Sequence, residues 1–195
     1  MPRIIIAFFL MLLIACSPTD SSKNADAIIT ETEVLNEQIL SILSDRIFIY
    51  DLEIKDKSIE EVHVSLNYYK DGELVGDIQQ FSMPIDEVND LTIAYVQQIF
   101  KDISERWVLA IFDEKGFGSG EFENDWPKER KEDLGAVWGN VSMPLYLTKG
   151  EKAIVGYISY SGKDVISSPV AIETEEQLQQ LVDDDFVYVL WVEVK

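Results

Sequence analysis

Cysteine and histidine are almost absent from this chain of 195 residues, which contains one of each. A single cysteine excludes an intrachain disulfide, so packing alone must stabilise the folded part. A single histidine excludes zinc sites that need several histidines, and it excludes the His-Glu-x-x-His helix of metalloproteases. That histidine, His63, falls on the polar side of an alternating segment, beside Glu61 and Ser65. We interpret it as a surface residue rather than a catalytic base.

Basic residues are also scarce, because 16 lysines and arginines stand against 36 aspartates and glutamates, for a formal net charge of −20. This balance excludes a nucleic-acid-binding surface, which needs a basic face. Two interpretations of the acidic surplus stay open. It keeps the protein soluble, or it attracts a basic protein or peptide partner.

Motifs for catalysis and for cofactor binding are missing as well, so we predict no cofactor. The chain has no Gly-x-Ser-x-Gly elbow and no Gly-Lys-Ser/Thr phosphate loop. The run Gly116–Gly120 lacks the spacing of a dinucleotide-binding loop and is predicted to be a flexible turn. Asp183–Asp185 lack the spacing of a calcium loop and are predicted to form a solvated turn, so no metal site is expected.

The first residues differ in character from the rest of the chain. Arg3 precedes twelve apolar residues, from Ile4 to Ala15. A cation followed by a short apolar run is the pattern of a secretory signal, and the run is too short for a membrane-spanning helix of about 20 residues. The run ends in Leu13-Ile14-Ala15-Cys16, and the polar residues that follow indicate a tether.

This ending resembles the lipobox of bacterial lipoproteins. The resemblance implies that a diacylglyceryl group is attached to the sulfur of Cys16 and that the chain is cleaved between Ala15 and Cys16. It also implies a mature protein anchored in a membrane by its lipid, on the extracytoplasmic face. In a cell with two membranes, that membrane could be the outer one.

The sequence divides into four predicted parts. They are a signal peptide over 1–15, a polar tether over 16–27, a short amphipathic helix over 28–43 and a single domain over 44–195. Within the domain, hydrophobic residues alternate with a period of two in about nine segments, and a capping box at Thr174–Gln177 opens one short helix. The fold class is therefore predicted as mainly β, an antiparallel β-sandwich, with immunoglobulin-like topology as the first expectation.

Three segments carry most of this fold prediction. The alternation over Glu61–Tyr69 and the Asp71-Gly72 pair that follows predict a β-hairpin. Residues 91–103 fit a strand or a helix, and their β-branched and aromatic side chains favour a strand. The run Phe186–Val194 is apolar on both faces, which predicts a central strand.

A long loop is predicted over 113–134, and it is the segment that most suggests a function. Loops of this length are uncommon in compact domains and are frequently functional. This one carries Phe117, Phe122 and Trp126 among charged residues, an arrangement typical of a protein-binding site. Alternatively, the three rings fold back and cover one end of the sandwich.

Three functions remain open. The first is a non-catalytic lipoprotein that binds a partner or assists envelope assembly, since no catalytic motif is found. The second is an envelope hydrolase that uses two carboxylates, one with a raised pKa. The third, a solute-binding receptor, ranks last because the chain is short for two lobes and shows no βαβ alternation.

Overall fold

The structure is a computed structural model that describes residues 24–32, 44–85, 90–100, 104–114, 116–125, 134–162, 172 and 174–195. In these ranges the chain forms two antiparallel sheets that pack face to face, with one short helix near the C-terminus. The predicted β-sandwich is therefore confirmed. The elements are β1 (Ala27–Glu31), β2 (Arg46–Ile54), β3 (Glu61–Lys70), β4 (Glu73–Pro84), β5 (Asp90–Phe100), β6 (Ser104–Phe112), β7 (Phe117–Asp125), β8 (Gly135–Asn140), β9 (Leu145–Leu147), β10 (Lys152–Ser161), α1 (Glu175–Val182) and β11 (Phe186–Val194).

The two sheets use the strands in a non-sequential order. One sheet has six strands in the order β7-β6-β5-β2-β1-β9, and the other has five in the order β4-β3-β11-β10-β8. An immunoglobulin constant domain has seven strands in sheets of four and three, so the arrangement of the described strands differs from that expectation.

Strand β11 lies in the middle of the five-stranded sheet, as predicted. Its inward side chains, among them Tyr188 and Leu190, belong to the core between the sheets. Its outward side chains Val187 and Val189 belong to a second core under α1. Because both faces of β11 are covered, the strand is apolar throughout.

Strand β1 corrects the predicted N-terminal boundary of the domain. Residues 28–31, expected to begin an amphipathic helix, form a strand that pairs with β2 on one side and β9 on the other. Ala27 and Ile29 point inward and are fully buried. The helix prediction is wrong here because these few residues are held by distant strands rather than by local propensity. Residues 33–43 of the predicted helix lie outside the described residues.

The predictions that rest on local signals hold. Strands β3 and β4 form the predicted hairpin, and Asp71 (φ 49°) and Gly72 (φ 84°) adopt the left-handed conformation that its tight turn requires. Residues 90–100 form a strand paired with β6, so the strand interpretation of 91–103 is confirmed up to residue 100. Helix α1 has the predicted capping box, in which Gln177 N donates to Thr174 Oγ1 at 3.2 Å.

Two buried tyrosines of the six-stranded sheet bind groups on the opposite sheet. The Tyr50 hydroxyl lies 2.8 Å from Asn140 Oδ1 and 2.9 Å from the carbonyl oxygen of Val155. The Tyr95 hydroxyl donates to the carbonyl oxygen of Trp191 at 2.5 Å. Burial raises the pKa of both tyrosines well above the usual value. Both hydroxyls therefore stay protonated and hold one sheet against the other.

Candidate binding surface

The segment predicted to be a long loop over 113–134 contains a strand instead. Residues 117–125 form β7, which pairs with β6 along its whole length. The loop prediction is wrong there because glycine and charged residues have low strand propensity, which packing overrides. A Cβ atom at Gly118 would lie 2.5 Å from Phe81 Cζ of β4, so the glycines let the edges of the two sheets approach closely. The run Gly116–Gly120 is thus mostly strand rather than a flexible turn.

The aromatic residues predicted to bind a partner do not form one cluster. Phe117 is 78% exposed at the start of β7, on the outer face of the six-stranded sheet. Phe122 lies opposite the buried Trp107, on the other face of β7, because side chains alternate along a strand. Trp126 and Cys16, the predicted site of lipid attachment, lie outside the described residues. Of the three rings, Phe117 is placed to contact a partner.

An acidic groove crosses the outer face of the six-stranded sheet beside Phe112, the cross-strand neighbour of Phe117. It has a volume of about 550 Å³ and extends over β1, β2, β5 and the end of β6. Apolar and threonine side chains form part of its wall. Its carboxylates belong to Asp51, Glu53, Asp90, Asp113 and Glu114.

Hydrogen bonds order two of these carboxylates. Thr92 Oγ1 donates to Asp51 Oδ1 at 3.2 Å, and Gly116 N donates to Asp113 Oδ1 at 2.8 Å. No lysine or arginine of the described ranges lines the groove, and Lys115 lies outside those ranges. The groove therefore presents several negative charges to solvent, where each attracts a cation modestly and less so at high salt.

Sequence reasoning missed this groove, although part of its signal is visible. Asp51 and Glu53 alternate with the buried residues Leu52 and Ile54, which marks an acidic outer face on β2. Bringing that face next to Asp90 requires the sheet order, because β5 is far from β2 in sequence. No local pattern gives that order.

The sequence did not predict a second cluster of polar residues, which is buried between the two sheets. Gln97 and Glu105 are fully buried, and Gln97 Nε2 donates to Glu105 Oε2 at 2.8 Å. The Tyr188 hydroxyl donates to Glu105 Oε1 at 2.5 Å. Arg46 Nη1 donates to Gln97 Oε1 at 2.6 Å and to the Tyr160 hydroxyl at 2.7 Å. The network joins strands of both sheets.

This network is closed to solvent at its carboxylate, since Glu105 is fully buried. Burial, and then the charge of Glu105, raise the pKa of Tyr188 well above the usual value, so Tyr188 remains a donor. Arg46 is covered by Trp138, which is 52% exposed and whose ring centroid lies 4.7 Å from the guanidinium carbon. The arrangement therefore serves to fix the packing of the sheets. Its signal in the sequence is that Gln97 interrupts the apolar face of β5.

His63 lies on the partly exposed side of β3. Its Nε2 atom is 2.6 Å from Glu61 Oε2. A hydrogen bond with Ser82, and then the contact with His63, hold the pKa of the Glu61 carboxyl below its usual value. The residues directly across from His63 are Ser82 on β4 and Glu193 on β11. The contact of His63 with Glu61 joins two partly exposed side chains, so it is an ordinary surface pair.

The aspartate triplet is only partly the solvated turn that was predicted. Asp184 is 8% exposed, and its Oδ2 accepts a hydrogen bond from Ser159 Oγ. Asp185 Oδ2 accepts a hydrogen bond from Gly162 N at 2.8 Å. The triplet therefore ties the end of α1 to the end of β10. Its carboxylates accept these hydrogen bonds because buried polar groups are nearly always hydrogen-bonded.

A smaller groove of about 350 Å³ lies beside α1 on the outer face of the five-stranded sheet. Its lining is mainly apolar and includes Trp191, over whose ring Lys152 Nζ lies at 4.5 Å from the centroid. Residues 163–171, which lead to Ile172 at the wall of this groove, lie outside the described residues. We assign no ligand to it.

In the ranges that the structure describes, no three His, Cys, Asp or Glu side chains are grouped so that they could hold a metal ion. No helix there is long and apolar enough to span a bilayer.

Comparison with known proteins places the chain by family rather than by activity. No curated protein and no solved structure shows a significant match to the chain. A family model described as the YgaN domain matches residues 28–194, a range that begins at the second residue of β1. Because this match covers most of its length, the chain belongs to the YgaN domain family.

Proposed function

We propose that this protein is a lipid-anchored binding module on the extracytoplasmic face of a membrane, without catalytic activity of its own. The lipid is attached at Cys16. The acidic groove, together with Phe117 beside it, binds a basic and partly apolar segment of a partner protein. Assistance in envelope assembly is one task that such binding can serve.

The observation that carries the binding proposal is the pairing of the acidic groove with an exposed ring. The groove has a volume of about 550 Å³, and five carboxylates line it. Phe117, 78% exposed, supplies an aromatic anchor next to it. Binding sites combine a ring that buries apolar area with a polar rim that sets specificity. A segment with lysines or arginines near an apolar residue matches both features.

The anchor is tested with Cys16→Ser. This variant should leave the membrane fraction and fail to incorporate a labelled fatty acid, because the sulfur that accepts the lipid is gone. The sandwich should stay folded, since its described core begins at Ala27. A Cys16→Ser protein that remains in the membrane fraction would refute the anchor.

The groove is tested with a synthetic peptide of alternating lysine and leucine, using calorimetry at low and moderate salt. The triple variant Asp51→Asn, Glu53→Gln, Asp90→Asn should bind about tenfold more weakly, since three exposed pairs contribute roughly 0.5 kcal/mol each. A matched control removes three acids elsewhere on the surface, with Glu73→Gln, Glu175→Gln and Glu176→Gln. Equal loss in both variants would mean that net charge, not the groove, attracts the peptide.

The two other functions gain no support from a particular contact. A carboxylate hydrolase needs an accessible acid of raised pKa, and the fully buried carboxylate Glu105 is enclosed by Gln97 and Tyr188. A solute receptor needs an enclosed ligand cavity, whereas the acidic groove is an open surface feature of one sheet.

A further inference from the structure

The sandwich has one end at which the polar tether enters, and hydrogen bonds identify it. The carbonyl oxygen of Asp26 accepts from Lys55 N at 2.8 Å, at the turn after β2. Asp26 Oδ2 accepts from Lys149 N at 2.8 Å, at the turn between β9 and β10. The C-terminal residue joins the same group, since the carbonyl oxygen of Lys195 accepts from Glu60 N at 2.6 Å. We name these turns, 55–60 and 148–151 with Lys195, the tether end.

The opposite end is equally well defined. Asp71 N, in the turn between β3 and β4, donates to the carbonyl oxygen of Asp185 at 3.2 Å. Strand β3 runs from Glu61 at the tether end to Lys70 at this far end. Nine steps of about 3.4 Å separate the two ends by about 30 Å.

The tether is short compared with this length. Ten residues, 17–26, separate Cys16 from Ala27, the first residue of β1, so eleven Cα–Cα steps connect the two. Fully extended, they reach at most about 40 Å. As the polar coil that its sequence predicts, the same length has a mean end-to-end distance of about 18 Å. Turning the far end toward the bilayer would require the tether to run along the whole sandwich, close to its full extension.

From this geometry we infer that the domain is oriented on the membrane, with the tether end facing the bilayer and the far end facing away. The inference rests on the proposed lipid anchor at Cys16. It also places the acidic groove in the membrane-proximal half, because Glu53 and Asp90 line the groove next to the turn that begins at Lys55. The groove's partner is therefore a basic segment that lies close to the membrane surface.

Energy transfer to the bilayer tests this orientation. In the lipidated protein the sulfur of Cys16 is blocked, so an engineered cysteine is the one reactive thiol. Lys57→Cys labels the tether end and Glu73→Cys labels the far end, and both positions are exposed. With a donor dye on each variant and acceptor-labelled lipids in the vesicle, transfer should be about twofold or more higher from position 57, given the height difference of about 30 Å.

A lengthened tether provides the matched control. Inserting about 30 Gly/Ser residues after Lys23 raises the mean tether length to about 35 Å, which should remove most of the difference between the two positions. Equal transfer from both positions with the native tether, or higher transfer from position 73, overturns the orientation and leaves the anchor standing. Failure of the protein to co-float with vesicles, with dye incorporated at Cys16, overturns the anchor and the orientation together.

Discussion

Small side chains decide how the sandwich closes along the edge formed by β4 and β7. Gly118 and Gly120 point from β7 toward β4, where Phe81 and Gln79 occupy the space that their side chains would take. A Cβ atom at Gly120 would meet the flexible end of Gln79 at 2.3 Å, which can move. A Cβ atom at Gly118 would meet the Phe81 ring, which is packed against the core. Gly118 is therefore the more restrictive of the two.

Gly118→Ala should destabilise the fold by about 1–3 kcal/mol, because the added methyl group overpacks against Phe81. Urea unfolding followed by tryptophan fluorescence measures the loss. Gly76→Ala is the matched control, since no atom lies within 4 Å of a Cβ there, and it should be close to neutral. Combining Gly118→Ala with Phe81→Leu should recover part of the stability, and an unchanged midpoint for Gly118→Ala alone would contradict the close approach.

The buried carboxylate of Glu105 depends on individual hydrogen-bond donors. Tyr188→Phe removes the hydroxyl that donates to Glu105 Oε1 while keeping the ring, which packs with Tyr68 and Trp107. Loss of one donor to a buried charged group should cost about 1–3 kcal/mol. Tyr146→Phe, at a residue that is 37% exposed, should change stability by less than about 0.5 kcal/mol. Similar losses in the two variants would show that the buried network does not act as described.

At the scale of elements, helix α1 depends on its first turn. Its buried residues Leu181 and Val182 cover the outer face of the five-stranded sheet, and its start is held by the capping box of Thr174 and Gln177. Thr174→Ala should cost about 1 kcal/mol, because one backbone donor of the first turn loses its acceptor. Thr174→Ser keeps the acceptor and should restore most of the stability in thermal unfolding. If Ala and Ser behave alike, the cap does not hold this helix.

Elements with local signals are the ones that the sequence predicts. The hairpin of β3 and β4 has its turn residues in place, and α1 has its cap, so each can be read from a few neighbouring residues. Strand β7 has no such signal, since its glycines Gly118 and Gly120 are explained by Phe81 and Gln79 of the other sheet. Strand β1 is similar, because five residues become a strand through pairing with β2 and β9.

The candidate site also combines residues that a local signal predicts with residues that only the order of the strands brings together. The exposed ring of Phe117 could be predicted, because it stands in a run of glycines and charged residues without apolar alternation. Its distance from Phe122 could not, since that depends on whether the segment is a strand. The acidic groove joins β1, β2, β5 and β6, and their order is set by contacts between residues far apart in sequence. A pattern within one strand cannot supply that order.

At the scale of the whole molecule, the two sheets are joined by tyrosines as well as by apolar packing. Tyr50 and Tyr95 reach from one sheet to groups on the other, and Tyr188 binds a carboxylate across the core. In all three, burial raises the pKa well above the usual value of about 10. The fold therefore requires three neutral phenols in its interior, and alkaline pH opposes it by favouring their ionisation.

The free energy of unfolding should consequently fall as the pH rises above about 10. Below that pH the three phenols are protonated in both states, and their stabilising contribution is complete. Above it the unfolded chain releases their protons while the folded chain retains them, so stability falls by up to roughly 1.4 kcal/mol per pH unit for each tyrosine, or about 4 for all three. Urea unfolding at a series of pH values measures the slope, and Tyr50→Phe should reduce it by about a third.

Absorbance at 295 nm should show that some of the eight tyrosines ionise only as the fold is lost. Ionisation of all eight before unfolding would contradict the buried, hydrogen-bonded state of Tyr50, Tyr95 and Tyr188.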